Sequence, residues 1–101
     1  MRLTEQQLNA IRQIFQKYFY QEDKIWLFGS RTDSSKKGGD IDLYIETQEA
    51  NLTKIVRMQL DFLTELKQKI GEQKIDVIIN SLPQNKHLPI YDEAKNTGIL
   101  I

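Results

Sequence analysis

Apolar residues near the start of the chain recur at spacings of three and four, the pattern of one face of an amphipathic helix. The positions are Leu8, Ile11, Ile14, Phe15, Tyr18 and Phe19. Ahead of them, Thr4 and Gln7 have the spacing of a capping box, in which each side chain satisfies a free backbone N–H of the other residue. The pattern therefore predicts a helix that begins after Thr4 and fades at residues 21–23.

Two further helices are predicted from the same periodicity. Asn51 is a suitable N-cap for a long helix that reaches residue 70, and Gly71 is suited to end it. The predicted buried face of this helix contains Leu52, Ile55, Val56, Gln59, Leu60, Leu63, Leu66 and Ile70. Phe62 is also expected in the core, as are Phe15, Phe19 and Trp26. Pro89 suits the first turn of a short helix over residues 90–96, which Gly98 would end.

Three short segments have the pattern of β-strands. Residues 25–28 are a continuous apolar run, residues 40–45 alternate strictly, and residues 74–79 are mainly apolar. The alternation places Ile41, Leu43 and Ile45 on one side and Asp40, Asp42 and Tyr44 on the other. Residues 99–101 form an apolar tail. The order α-β-loop-β-α-β-α predicts an α+β fold, an α/β mixture around a small sheet with flanking helices, in one domain over residues 1–101.

The composition narrows the possible functions. A chain of 101 residues has room for one domain. Its 14 basic and 14 acidic side chains give a net charge of zero, so we expect no broad basic surface for nucleic acid or anionic lipid. The lack of cysteine excludes disulfides, thiolate zinc sites and thiol nucleophiles. No apolar run approaches the ~20 residues that cross a bilayer, and the first residues do not resemble a signal peptide, so we expect a soluble cytoplasmic protein.

Asp40 and Asp42 are the most informative polar residues of a predicted strand. Alternate residues of a strand share one face and lie ~6.5 Å apart, so the two carboxylates are expected to lie together. Neighbouring carboxylates repel each other unless a cation offsets their charge. Mg²⁺ prefers carboxylate oxygens and takes its remaining ligands from water and substrate phosphates. The pair therefore predicts a site for one or two Mg²⁺ ions.

A third carboxylate and a glycine-containing turn extend this candidate site. Asp76 interrupts an apolar strand, where an unpaired buried charge would be costly, and it can meet Asp40 and Asp42 if the two strands are neighbours. Gly29 and Ser30 follow the first strand, where close backbone approach and free N–H groups suit a phosphate. The combination predicts a bound triphosphate and two metal ions, which can clamp the attacking and leaving oxygens of an in-line displacement.

Each of these features also has a purely structural interpretation. Asp-x-Asp pairs are common, Gly-Ser after a strand is usually just a turn, and Asp76 can be a cap or a bulge residue. The occurrence of all three features in this order along one short chain is much harder to explain by chance. The joint pattern therefore favours the functional interpretation.

The combined motif resembles that of the minimal nucleotidyltransferases of the DNA polymerase β-type superfamily. The family motif is Gly-Ser, a loop, and then Asp-x-Asp between apolar residues. Here it stands as Phe-Gly-Ser-Arg at residues 28–31 and Gly-Asp-Ile-Asp-Leu at residues 39–43, and Asp76 matches the third family aspartate. The loop of nine residues is at the short end for the family, and Gly39 stands where serine is common. The resemblance covers essentially the whole chain and implies the nucleotidyltransferase fold.

The resemblance also implies roles for individual residues. Asp40 and Asp42 would bind both Mg²⁺ ions. Asp76 would bind the metal on the acceptor side and help to deprotonate the attacking hydroxyl. Gly29 and Ser30 would hold the β- and γ-phosphates of ATP.

Other residues have two open interpretations. Arg31 can contact phosphate, or it can be a solvated or strand-pairing arginine. Tyr44 can stack near the nucleotide or serve packing. Lys36 and Lys37 can steer ATP or form a solvated loop, and His87 is expected at the surface.

The expected partner also comes from the resemblance. Larger relatives carry a helical domain that binds the acceptor, and this chain is expected to lack it. The minimal members resemble the antitoxin of HEPN toxin–antitoxin modules, which implies transfer of AMP from ATP to a tyrosine of a HEPN-family RNase toxin. Two alternatives stay open: a module that neutralises its partner by binding alone, and a catalytic subunit that acts on a small molecule. Neither membrane nor direct nucleic-acid binding is expected.

Overall fold

The computed structural model describes residues 3–29, 41–71 and 73–101, which form three helices and four strands. In chain order the elements are α1 (Glu5–Tyr18), β1 (Lys24–Phe28), β2 (Ile41–Thr47), α2 (Leu52–Ile70), β3 (Ile75–Ser81), α3 (Pro89–Thr97) and β4 (Ile99–Leu100). A 3₁₀ turn, Leu82–Gln84, follows β3. The predicted α+β architecture is confirmed. Ser30, Arg31, Lys36, Lys37 and Asp40 lie outside the described residues, so the predictions on them stay predictions.

The predicted start of α1 and both predicted ends of α2 are confirmed by their caps, whereas α1 ends at Tyr18, before the predicted residues 21–23. The Gln7 N–H donates to Thr4 Oγ1 at 3.0 Å and the Thr4 N–H donates to Gln7 Oε1 at 3.1 Å, which completes the capping box. The Lys54 N–H donates to Asn51 Oδ1 at 3.1 Å at the start of α2. Gly71 ends that helix with φ 93°.

The predicted buried face of α2 was partly wrong. Ile55 and Leu66 are buried as expected, and so is Phe62, which was expected in the core. Met58 is also buried, although the prediction omitted it. Leu52, Val56 and Leu60 were assigned to the same face but are 56%, 65% and 59% exposed. The apolar positions of α2 span a wider arc than the side that packs on α1 and the sheet, so the outer stripe faces away from the core.

The four strands form one mixed sheet in the order β3-β2-β1-β4. β1 is antiparallel to β2 and to β4, whereas β2 and β3 are parallel. The prediction of an apolar tail at residues 99–101 missed a strand there. The Ile101 N–H donates to the Ile25 carbonyl at 3.0 Å, and Trp26 lies opposite Leu100. So short a strand is defined by its pairing with β1, which no local pattern reveals.

The two faces of the sheet are packed differently. Ile41, Leu43 and Ile45 are fully buried and belong to the main core with residues of α1 and α2. The opposite face carries a smaller cluster of Trp26, Phe28, Tyr44 and Ala94, through which α3 covers part of it. Within the described segments, no helix is long and apolar enough to cross a membrane.

Candidate active site

Asp42 and Asp76 face each other across the parallel pair of β2 and β3. They are register partners, which places their backbones at the ~4.8 Å spacing of neighbouring strands. Asp42 is half-buried and Asp76 is exposed. Register partners project to the same face of a sheet, so the two carboxylates lie on the face that also carries Tyr44. The condition set in the sequence analysis, that the strands of Asp42 and Asp76 are neighbours, is therefore met.

Gly29 lies directly against the carboxylate of Asp42. It follows β1 with φ 78°, a backbone conformation that residues other than glycine rarely adopt. Phe28, the last residue of β1, is the register partner of Asp42. A Cβ atom at position 29 would lie 2.3 Å from Asp42 Oδ2, so only glycine leaves room for the carboxylate in this place. Backbone conformation and space both require glycine here.

Two carboxylates in register, one of them exposed, supply the oxygen ligands that divalent cations prefer. Among residues 3–29, 41–71 and 73–101, no group of three Asp, Glu, His or Cys side chains comes together as metal ligands would. The third predicted carboxylate, Asp40, lies outside those ranges, as do Ser30 and Arg31. The structure therefore brings together Gly29, Asp42 and Asp76 from the predicted set.

Tyr44 stands two residues beyond Asp42 on the same face and is fully buried. Its ring packs between Trp26 and Tyr91, with centroid distances of 5.3 and 5.5 Å. The Tyr44 hydroxyl donates to Glu46 Oε2 at 2.8 Å and accepts from Asn80 Nδ2 at 3.0 Å. Burial is the main cause that raises the pKa of this phenol above its usual value. These contacts favour the packing interpretation of Tyr44.

A cavity of about 210 Å³ lies beyond Tyr44, between the ends of β2 and β3 and helix α3. Its walls include Glu46, Asn80, Tyr91 and Lys95, and His87 lies at its exposed rim. Lys95 Nζ lies 3.2 Å from Glu46 Oε2. This cavity was not predicted from the sequence. The only signal for it in the sequence was Asn80, a polar residue at the end of the apolar strand that contains Asp76.

The mixed sheet thus places Asp42 and Asp76 side by side, next to the turn at Gly29. The family model for the polymerase β nucleotidyltransferases matches residues 9–101. The chain belongs to this family of nucleotidyltransferases. No curated protein matches the chain.

Replacement of Gly29 by alanine is expected to damage both stability and catalysis. The positive φ alone costs about 1–3 kcal/mol for a residue with a Cβ atom. The Cβ atom must also displace the Asp42 carboxylate, and misplacement of about 1 Å in such a site can cost about 10²-fold in rate. Urea denaturation and an assay of nucleotidyl transfer measure the two effects.

Gly71→Ala is the matched control for this change. Gly71 also has a positive φ, 93°, but a Cβ atom there meets nothing within 4 Å. Gly71→Ala should therefore lower the free energy of unfolding. Its rate of nucleotidyl transfer per folded molecule should stay at the wild-type value. Equal transfer rates in the folded fractions of both variants would contradict the close approach of Gly29 to Asp42.

Proposed function

We propose that this chain is an Mg²⁺-dependent nucleotidyltransferase that transfers AMP from ATP to a tyrosine of a HEPN-family RNase toxin, as the antitoxin of that pair. One observation carries the chemical part of the proposal: Asp42 and Asp76 are register partners on parallel strands, and Gly29 leaves space for the Asp42 carboxylate. Family membership supports nucleotidyl transfer as the type of reaction. The balanced charge favours a protein acceptor over nucleic acid.

The residues present fit the metal ions that this reaction uses. Asp42 and Asp76 offer carboxylate oxygens on an accessible face, and Asp40 is the further ligand in the proposal. Bound Mg²⁺ supplies Lewis-acid stabilisation of charge on the phosphate oxygens. Gly29 and Ser30 hold the β- and γ-phosphates, which places the α-phosphate near the aspartates.

The proposed reaction is an in-line displacement at the α-phosphate. The tyrosine oxygen of the acceptor forms a bond to the α-phosphorus, and the bond from that phosphorus to the oxygen bridging the α- and β-phosphates breaks. Pyrophosphate leaves with the electron pair of that bond. Asp76, the more exposed carboxylate, accepts the proton of the acceptor hydroxyl.

The double variant Asp40→Asn with Asp42→Asn is expected to abolish transfer of α-labelled AMP to the partner protein. The change removes two negative charges with little change of side-chain volume, so the circular dichroism spectrum and the melting temperature should stay near those of the wild type. Intact mass of the partner after incubation with ATP and Mg²⁺ measures the transfer. Undiminished labelling by the double variant would overturn the mechanism.

A second function, neutralisation by binding alone, is favoured by one observation. The outer face of α2 exposes Leu52, Val56 and Leu60 at a spacing of four, a stripe suited to contact with another protein. Co-expression with the toxin separates the two functions. Full rescue by the Asp40→Asn, Asp42→Asn variant supports neutralisation by occlusion, whereas loss of rescue supports neutralisation by AMP transfer.

A further inference from the structure

The cavity between the sheet and α3 contains a buried amide group with unused hydrogen-bonding capacity. Asn80 is 8% exposed and lines the cavity wall. One of its amide hydrogens is donated to the Tyr44 hydroxyl at 3.0 Å. Among the described residues, its carbonyl oxygen and its second amide hydrogen have no hydrogen-bond partner. Buried polar groups are normally satisfied, so an acceptor and a donor side by side at a cavity wall indicate a ligand with the complementary pair.

The orientation of this amide is fixed by a chain of hydrogen bonds. The Glu46 carboxylate, paired with Lys95 at 3.2 Å, only accepts hydrogen bonds, so the Tyr44 hydroxyl must donate to it. That hydroxyl then needs a donor, and Asn80 must direct its Nδ2 rather than its Oδ1 towards Tyr44. The unused oxygen and the unused amide hydrogen therefore occupy fixed positions. A ligand with donor and acceptor interchanged would be repelled in the same pose.

The cavity lies on the same face as the aspartate pair. Asn80 is four residues beyond Asp76 on β3, a distance of about 13 Å along the strand. Ile78, the residue between them on this face, is half-buried and packs against the aromatic cluster. Asp76, Ile78 and Asn80 form one row on the edge strand of the sheet, and a ligand that joins the aspartate pair to the cavity would follow this row.

We propose that this cavity binds the adenine base of the nucleotide substrate and that Asn80 determines the preference for adenine. This inference rests on the proposed function, which places the triphosphate at Gly29 and the aspartates. The exocyclic amino group of adenine donates to Asn80 Oδ1, and the neighbouring ring nitrogen accepts from Asn80 Nδ2. Asparagine forms this bidentate pair with adenine elsewhere in recognition of nucleic-acid bases. Tyr91, half-buried at the wall, offers an aromatic surface to the base.

The test measures affinities of the full chain for ATP, GTP and inorganic tripolyphosphate in the presence of Mg²⁺ by titration calorimetry. The wild type should bind ATP at least about tenfold more tightly than GTP, the size expected for one bidentate pair. Asn80→Asp replaces the donor–acceptor edge by two acceptors, which suit the adjacent N1–H and N2–H donors of guanine. The ratio of GTP to ATP dissociation constants should then fall at least about tenfold. Affinity for tripolyphosphate should stay within about twofold, because that probe lacks a base.

Two further variants keep the test specific. Asn96→Asp makes the same chemical change at an exposed position of α3 and should leave the ratio unchanged. Asn80→Ser removes the amide edge without adding charge, and it gives the same comparison if Asn80→Asp does not fold. The ratio should fall in this variant also.

The outcomes separate this inference from the proposed function. A wild type that binds ATP and GTP equally, or an unchanged ratio in a folded Asn80 variant, overturns the base site alone. Tripolyphosphate affinity that falls in step with ATP affinity shows a structural role for Asn80 and also overturns it. A wild type that binds none of the three probes overturns the proposed function. A reduced ratio without any AMP transfer to the toxin leaves the base site supported and the proposed acceptor wrong.

Discussion

Asp76→Asn is expected to lower the rate of nucleotidyl transfer by about 10²–10³-fold and to change ATP affinity only a few-fold, because its proposed role is to hold charge and to accept a proton during transfer. Asp76 is exposed at the start of β3 opposite Asp42, so the isosteric amide should leave the sheet intact. The amide keeps one oxygen ligand but loses the negative charge and the basicity. Single-turnover assays with saturating ATP measure the rate, and calorimetry measures the affinity.

Asp61→Asn is the matched control for this prediction. Asp61 lies on α2 with a side chain that is 41% exposed, and it pairs with Arg57 across one helical turn at 3.5 Å. Such a surface pair contributes little to stability, and the variant should transfer AMP at the wild-type rate. If Asp76→Asn retains more than about a tenth of the wild-type rate, the assignment of Asp76 to the reacting centre is wrong.

Phe62→Ala is expected to reduce the free energy of unfolding by about 3–5 kcal/mol, the usual cost of removing a buried aromatic side chain. Phe62 is 0% exposed at the centre of α2. Its ring meets those of Phe15 and Phe19 edge-on, with centroid distances of 6.5 and 5.9 Å. The substitution opens a cavity where α1, α2 and the sheet converge. Urea denaturation followed by circular dichroism measures the loss.

Leu60→Ala provides the comparison on the same helix. Leu60 is two residues away but 59% exposed, so its truncation should change the free energy of unfolding by no more than about 0.5 kcal/mol. The pair also tests the corrected face of α2, since the sequence pattern had placed Leu60 on the buried side. A larger loss for Leu60→Ala than for Phe62→Ala would contradict the packing described for this helix.

Local signals in the sequence were sufficient for the start of α1, for both ends of α2 and for the three main strands. Each helix end depends on contacts within a few residues: Thr4 and Gln7 form the capping box of α1, Asn51 caps the start of α2, and Gly71 caps its end. Their positions in the sequence therefore contain the necessary information. Asp76 was expected to meet Asp42 if their strands were neighbours, and the register of β2 and β3 fulfils that condition. The cost of an unpaired buried charge, which first drew attention to Asp76, does not apply, because Asp76 is exposed. Their roles in catalysis, and those of Asp40, Ser30 and Arg31, stay predictions.

Features that depend on contacts between distant segments were not predictable. Which arc of α2 is buried depends on where α1 and the sheet lie, and periodicity alone gave Leu52, Val56 and Leu60 the wrong side. The strand at Ile99–Leu100 exists only through its pairing with β1. The group of Glu46, Asn80 and Lys95 joins three separate elements, and no spacing along the chain connects them.

The two sides of the candidate active site come together by different routes during folding. Gly29 and Asp42 come from β1 and β2, which follow one another in the chain, whereas Asp76 joins them on a parallel strand after the whole of α2. Pairing of strands that are distant in sequence needs closure of a longer loop and is slower than pairing of consecutive strands. Recovery of transfer activity after dilution from denaturant therefore reports the docking of β3.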